Sequence, residues 1–226
     1  MKFLILGRGK TGSLVAKFAA GRHHHLHILG AEENREAKAL TPDLLQGIDV
    51  VVDFTSPASV AANIQACLRA KKNMVVGTTG WYEKLDEVRS AVAKAGTGFL
   101  YGPNFSIGVN LFFDAVRIAA QAPGHGYSGQ IFERHHQHKK DAPSGTALVL
   151  QKIIKENSGA ELEITSFREG EVVGLHELIF DSTHDRIYLC HDAKSRQGFA
   201  EGAVLGAEWL SGKHGFFEFK DIWREL

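Results

Sequence analysis

Cysteine and proline are scarce: two and five residues respectively in a chain of 226. Cys67 and Cys190 are far apart and form no CxxC pair, which excludes a disulfide scaffold and a cysteine-based zinc site. Both lie in apolar patterns and are expected to be reduced and packed inside. No apolar run approaches the ~18 residues of a membrane helix. The opening "MKFLILGRGK" meets glycine too soon for the apolar region of a signal peptide. A cytoplasmic protein with no membrane attachment is the expectation. Charge of one sign is not in excess either, with 26 basic and 26 acidic residues. That argues against a broad nucleic-acid or anionic-membrane surface, so any cationic site must be local. Glycine, by contrast, is plentiful at 24 residues, which suits close backbone approaches.

The first hundred residues alternate short apolar runs with helical patterns. "KFLIL" (2–6), "LHILG" (26–30), "DVVVDF" (49–54), "NMVVG" (73–77) and "GFLYG" (98–102) read as strands. "SPASVAANIQACLRAKK" (56–72) and "WYEKLDEVRSAVAKAG" (81–96) read as helices. Continuous apolar strands separated by helices predict an α/β domain, a Rossmann-like doubly wound parallel sheet covered on both faces. Beyond residue 104 the rhythm changes. A helix over 106–122 and the strand "GQIFERHH" precede a helix after Pro143, then strands at 162–169, 172–182 and 185–193. This predicts an inserted α+β domain with a mixed or antiparallel sheet. A final helix lies in 196–212. The expected organisation is a dinucleotide-binding domain (1–104), a second domain (105–194) and a C-terminal segment (195–226) returning to the first.

"GRGKTG" follows the first strand and fits GxGxxG at Gly7, Gly9 and Gly12. Glycines remove Cβ atoms where a pyrophosphate approaches, and helix N-terminal amides donate to it. A Walker A loop is rejected, because it needs glycine five positions before Gly9, where Leu4 stands. Arg8, Lys10 and Thr11 complete the turn. Glu32, 20 residues after Gly12, is the candidate carboxylate for adenosine ribose hydroxyls, which favours NADH. Arg8, Lys10 and Arg35 keep a 2′-phosphate, and so NADPH, open. Gly77, Thr78 and Thr79 in one loop and Pro103, Asn104, Phe105 and Ser106 in another follow strand ends, where the nicotinamide half of a cofactor is expected.

"FERHHQHKKDAPSGTALVL" (132–150) concentrates His135, His136, His138, Lys139 and Lys140 just before a helix start at Pro143–Ser144. Basic side chains with the first amides of that helix, at Gly145 and Thr146, make a site for a small dicarboxylate. Zinc is disfavoured, since no matching Cys or His-x-x-His partner exists, so no metal is expected. Alternation along a strand leaves open whether His135 and His136 share a face. The separate run His23–His25 lies in a helix-to-strand connection and is expected to be exposed.

"ERHHQHKKDAPSGTA" resembles the signature of the 4-hydroxy-tetrahydrodipicolinate reductase (dihydrodipicolinate reductase) family. The likeness extends through "GRGKTG", "VVDFTSP", "VVGTTGW", "NFSIGVN", "REGEVVGLHE" and "GFAEGAVLGAEWLSGK". The resemblance implies an NADH- or NADPH-dependent reductase of the diaminopimelate route to lysine, acting on a cyclic dicarboxylate and assembled as a homotetramer. It implies His135 as proton donor and Lys139 as a second donor or carboxylate anchor. His136, Gly145 and Thr146 would be substrate contacts. The cofactor would meet the glycine turn, Glu32, residues 77–79, residues 103–106, and Arg196 with Phe199 in a hinge region. Closure of the two domains on joint binding would follow. The chain departs from the pattern in a glycine loop one residue tighter, with Lys10 and Thr11 where Arg and Met are common. Glu33 stands where some relatives carry arginine, which tilts the expectation to NADH. A dinucleotide-sensing protein without turnover, or another nicotinamide-dependent amino-acid dehydrogenase, is the alternative, because fold alone does not fix function.

Overall fold

The structure, a computed structural model, describes all 226 residues, which divide into two compact units: residues 1–107 with 197–226, and residues 108–196. No helix is long and apolar enough to cross a membrane.

The first unit runs β1 (Lys2–Leu6), α1 (Lys10–Gly21), β2 (His25–Leu29), α2 (Pro42–Gln46), β3 (Val50–Asp53), α3 (Pro57–Arg69), β4 (Asn73–Val76), α4 (Leu85–Ala95) and β5 (Gly98–Tyr101). All pairings are parallel. Alternation along each strand feeds two cores, one on each face. Leu4, Leu6, Val51, Met74 and Phe99 pack with Val60, Ile64, Val88 and Val92 of α3 and α4. Phe3, Ile5, Val52 and Leu100 face Val15 and Ala19 of α1 on the other side. Each such fully buried side chain stabilises the fold by about 1.5–3 kcal/mol. The strands therefore read as unbroken apolar runs, because no residue of β3 or β5 reaches solvent.

The second unit contains α5 (Ile107–Ala119), β6 (Ser128–His135), α6 (Gly145–Ser158), β7 (Glu163–Arg168), β8 (Leu175–Asp181) and β9 (Arg186–Asp192). Its sheet has the order β7-β6-β8-β9 and is mixed: β6 and β7 are parallel, and the other two pairs are antiparallel. Ile131, Leu178 and Phe180 pack against Phe112, Phe113, Val116, Leu150 and Ile154 of the two helices. Alternate positions on the opposite face include the exposed Phe167 and Tyr188.

The chain then returns to the first unit through α7 (Gln197–Trp209), β10 (Gly215–Glu218) and α8 (Phe219–Ile222). β10 pairs with β5 and completes a six-stranded sheet, β10-β5-β4-β3-β1-β2. This last strand was not expected from sequence; it has four residues and no β-branched side chain to announce it.

Two expectations are corrected. Cys190 is exposed on edge strand β9, while Cys67 is buried, so only one thiol is packed inside. His24 is not a solvent-exposed loop residue. Its ring stacks on Phe3 at 4.4 Å, and its Nε2 lies 2.7 Å from Glu208 Oε1, which also receives Arg22.

Candidate active site

In the first unit, the turn from β1 into α1 is shaped by its glycines. Gly7 has φ +106°, a backbone state that L side chains rarely adopt, and a Cβ there would lie 2.2 Å from the Phe54 carbonyl oxygen. A Cβ on Gly12 would lie 2.2 Å from the Gly7 carbonyl oxygen, so α1 packs directly against the turn. Gly9 differs, with nothing within 4 Å of where a Cβ would stand. As N-cap it provides no side-chain acceptor, and the first intrahelical bond runs from Ser13 to its carbonyl. The amides of Lys10, Thr11 and Gly12 are therefore without intrahelical partners at the positive end of the helix.

Two adjoining clefts share Gly9, Phe54 and Thr55. One, about 300 Å³, is lined by Lys10, Thr11, Gly77, Thr78 and Thr79. The other, about 220 Å³, is lined by Gly7, Arg8, Gly30 and Asn34. Open space at Gly9, free amides and flanking clefts fit a dinucleotide whose pyrophosphate lies across the turn.

Beneath both clefts is Asp53, fully buried at the end of β3. Its Oδ1 accepts from Thr78 Oγ1 at 2.6 Å and Thr55 Oγ1 at 2.7 Å, and its Oδ2 accepts from Asn63 at 2.8 Å. Asn63 in turn accepts from Asn34 at 2.9 Å. One carboxylate thereby fixes the loops after β2, β3 and β4. Sequence reading missed it, although "VVDFTSP" places an acid at the end of an otherwise apolar strand.

Several expected cofactor residues are placed differently. Glu32 lines neither cleft: its side chain is 86% exposed and paired with Arg35 at 2.8 Å. The neighbouring Glu33 is bonded to two residues that line the second cleft, accepting from the Gly30 amide at 2.6 Å and from Arg8 at 3.0 Å. The Gly30 amide, the largest influence, holds Glu33 below the usual carboxylate range against burial, with Arg8 assisting. Arg8 also donates to the Ile28 carbonyl at 3.1 Å. The Thr78 hydroxyl turns inward to Asp53 rather than toward a ligand. Phe105 is a core residue, 2% exposed, with its ring 4.7 Å from Phe219. Asn104 accepts from the Ser106 amide at 2.9 Å, shaping the loop after the exposed Pro103. Phe199 is half-buried on α7 of the first unit, whereas Arg196 belongs to the second.

In the second unit the cationic segment begins where β6 ends. His135 is the last strand residue and points inward, 7% exposed. Its Nδ1 is hydrogen-bonded to Glu133 Oε2, and Glu133 Oε1 accepts from Arg168 at 2.7 Å. Burial lowers the His135 pKa, and Glu133 opposes that effect. His176 of β8 lies edge-on to His135 at 5.1 Å and is hydrogen-bonded through Nε2 to Ser144 Oγ at 3.0 Å. Strand geometry ends at His135, so His136 is freed from alternation. It is half-buried, and Arg196 approaches its Nε2 at 3.3 Å. Lys139 places its ammonium 2.9 Å from both oxygens of Asp141. His138 and Lys140 are exposed. Ser144 caps α6 by accepting from the Ala147 amide, which leaves the Gly145 and Thr146 amides as the first donors of the helix. Glu133, Arg168, His176 and Ser144 were not singled out from sequence. The one local hint is Glu-x-His, which puts Glu133 and His135 on the same face of a strand. Although Glu133, His135 and His176 could together offer metal ligands, Arg168 already neutralises the carboxylate.

A glycine-rich strand-to-helix turn at a parallel sheet, in a chain whose second unit carries a histidine and lysine segment, defines the class: a nicotinamide-dinucleotide-dependent oxidoreductase of α/β architecture. Comparison with known proteins is more specific. The family model "Dihydrodipicolinate reductase, N-terminus" matches residues 1–105, and "Dihydrodipicolinate reductase, C-terminus" matches 108–223. The chain is similar to 4-hydroxy-tetrahydrodipicolinate reductase of Christiangramia forsetii, at 36% identity over 100% of this chain and 99% of that protein. It is 38% identical to the Laribacter hongkongensis enzyme of the same name, over 77% of this chain and 72% of the other. The fold is shared with a dipicolinate-bound dihydrodipicolinate reductase from Paenisporosarcina sp. TG-14, with TM-score 0.78, 23% identity, and coverage of 98% and 99%. The chain belongs to the dihydrodipicolinate reductase family.

Proposed function

We propose that this protein reduces 4-hydroxy-tetrahydrodipicolinate to tetrahydrodipicolinate, the 4-hydroxyl leaving as water while a hydride and a proton are added, in the cytoplasm, in lysine and diaminopimelate biosynthesis, with NADH as preferred reductant. Residues 1–104 and 195–226 would serve the nucleotide, and 105–194 the substrate and assembly. The observation that carries this reading is the segment from His135 to Thr146, a compact set of cations and free helix amides suited to a dianion, within a chain of this family.

A bound reduced nicotinamide supplies the hydride. The protein supplies position and charge. Lys139, His136 and the amides of Gly145 and Thr146 hold the substrate carboxylates, and Lys139 exchanges Asp141 for a carboxylate as the substrate arrives. His135 carries the proton. Burial favours its neutral form in the free protein, and the carboxylates of a bound dianion favour its protonated form, so substrate binding charges the acid that the reaction uses.

The preference for NADH rests on Arg8 and Arg35. Both are already engaged by acidic side chains, Glu33 and Glu32, so a 2′-phosphate meets a carboxylate beside each. Glu33→Gln is expected to raise the NADPH-to-NADH ratio of kcat/KM severalfold; an unchanged ratio would remove Glu33 from cofactor choice. The face of the mixed sheet that carries Phe167 and Tyr188 is the proposed homotetramer surface, testable by light scattering on the eluted protein. The reading itself is tested with His135→Ala. A fall in kcat of about 10²–10⁴ with NADH binding intact supports it, whereas unchanged turnover overturns it.

A further inference from the structure

Beyond the direct contacts of the cationic segment, Glu133 lacks an assigned role, although it is the only fully buried charged side chain beside His135. Its two oxygens are divided. Oε1 takes Arg168 from β7, and Oε2 takes the Nδ1 of His135. Sheet register imposes this arrangement: His135 pairs with Arg168 across β6 and β7, and Glu133 pairs with His176 across β6 and β8. The carboxylate is ionised. Burial acts to raise its pKa, but Arg168 first, then Ser166 and His135, outweigh this and leave it below the usual range. An ionised carboxylate donates nothing, so the hydrogen in the Glu133–His135 bond belongs to Nδ1.

The tautomer follows, and with it the reactive atom. With Nδ1 committed to Glu133, Nε2 is left with the lone pair. That atom faces Gly174, where a Cβ would stand 3.0 Å from Nε2 and 3.8 Å from His176 Cε1, so the glycine keeps the space beside Nε2 open.

We propose that Glu133 is a positioning residue for the reduction: it fixes His135 as the Nδ1–H tautomer and makes Nε2 the atom that holds the proton and hands it to the substrate. This rests on the reading of His135 as the proton carrier given above. Arg168 is part of the device, because it neutralises Glu133 and leaves the imidazole uncharged until a dianion arrives. The charged and titratable groups facing His135 are Glu133 on its own strand, Arg168 on β7, His176 on β8 and Lys139 from the following loop. Of these only Glu133 favours the imidazolium.

The test has two parts. In the unmodified protein, nitrogen-15 NMR of the histidine side chains should show His135 protonated at Nδ1 and bare at Nε2 at neutral pH. An Nε2–H tautomer would overturn the proposal, whatever the activity. Kinetics of Glu133→Gln form the second part. Losing the carboxylate should lower kcat by about 10²–10⁴ with KM and NADH affinity little changed. It should also move the alkaline limb of the kcat profile to lower pH, because the imidazolium has lost its anion. Glu133→Asp, which retains the charge, should restore the limb in part. A folded Glu133→Gln with unchanged kcat and limb overturns the assignment. If that variant does not fold, the tautomer of the unmodified protein decides. Absence of reductase turnover in the unmodified protein would overturn the functional reading instead, leaving the tautomer result separate.

Discussion

Mild acid should destabilise the second unit, and His176 sets the expected size. The residue is 4% exposed on β8, faces His135, and has one hydrogen bond, to Ser144, with Nδ1 unpartnered. Burial first, then the neighbouring His135, lowers its pKa to about 3. In the unfolded chain the group titrates at its ordinary value of about 6.5. Between these values the unfolded chain binds a proton that the folded unit does not. Stability is therefore full above about pH 6.5 and declines as the pH falls toward 3. The slope is about 1.4 kcal/mol per pH unit, or about 2 kcal/mol between pH 7 and pH 5. His135 and His191, also lowered chiefly by burial, act in the same sense. Glu133, Asp141, Asp181 and Glu208 are shifted below the ordinary carboxylate range, so the stability they add is lost only as the pH falls past about 4, below the interval from pH 7 to pH 5. Trp81, Trp209 and Trp223 all lie in the first unit, so tryptophan fluorescence does not report on the second. Amide hydrogen exchange on β6 and β8 does, after correction for intrinsic rates. Protection should weaken by about 2 kcal/mol from pH 7 to pH 5, and much less in His176→Asn. Equal protection at the two pH values, or an equally steep variant, would refute the reasoning.

Two further outcomes are expected. Gly12→Ala places a Cβ 2.2 Å from the Gly7 carbonyl oxygen, so α1 must separate from the turn; NADH affinity measured by calorimetry should fall more than about tenfold, and undiminished affinity would contradict the proposed cradle. Asp141→Asn removes the internal partner of Lys139. KM for the dicarboxylate should fall severalfold in steady-state kinetics while kcat holds, and a raised KM would mean that Asp141 assists binding.

The central strands of the first unit were legible because burial on both faces makes them continuous apolar runs, and the glycine turn because its spacing has a steric cause. Local signal failed where partners are remote. His24 looked like part of an exposed run because Glu208, 184 residues away, is what engages it. Glu32 and Glu33 are adjacent, and only the turn geometry at Gly30 decides which carboxylate meets the Gly30 amide and Arg8. Similarly, Arg168 and His176 join Glu133 and His135 through strand register across 33 residues or more, a relation that spacing along the chain does not encode. Cys190 lies in a run that reads as a core strand, yet β9 is the sheet edge and five of its seven residues are exposed.

The most direct measurement is oxidation of NADH and NADPH, followed by nicotinamide absorbance, with 4-hydroxy-tetrahydrodipicolinate generated enzymatically in the same cuvette, for the unmodified protein and His135→Ala. The account predicts substrate-dependent oxidation, faster with NADH, that nearly disappears in the variant while NADH still binds. No substrate-dependent oxidation by a protein that demonstrably binds NADH would contradict it.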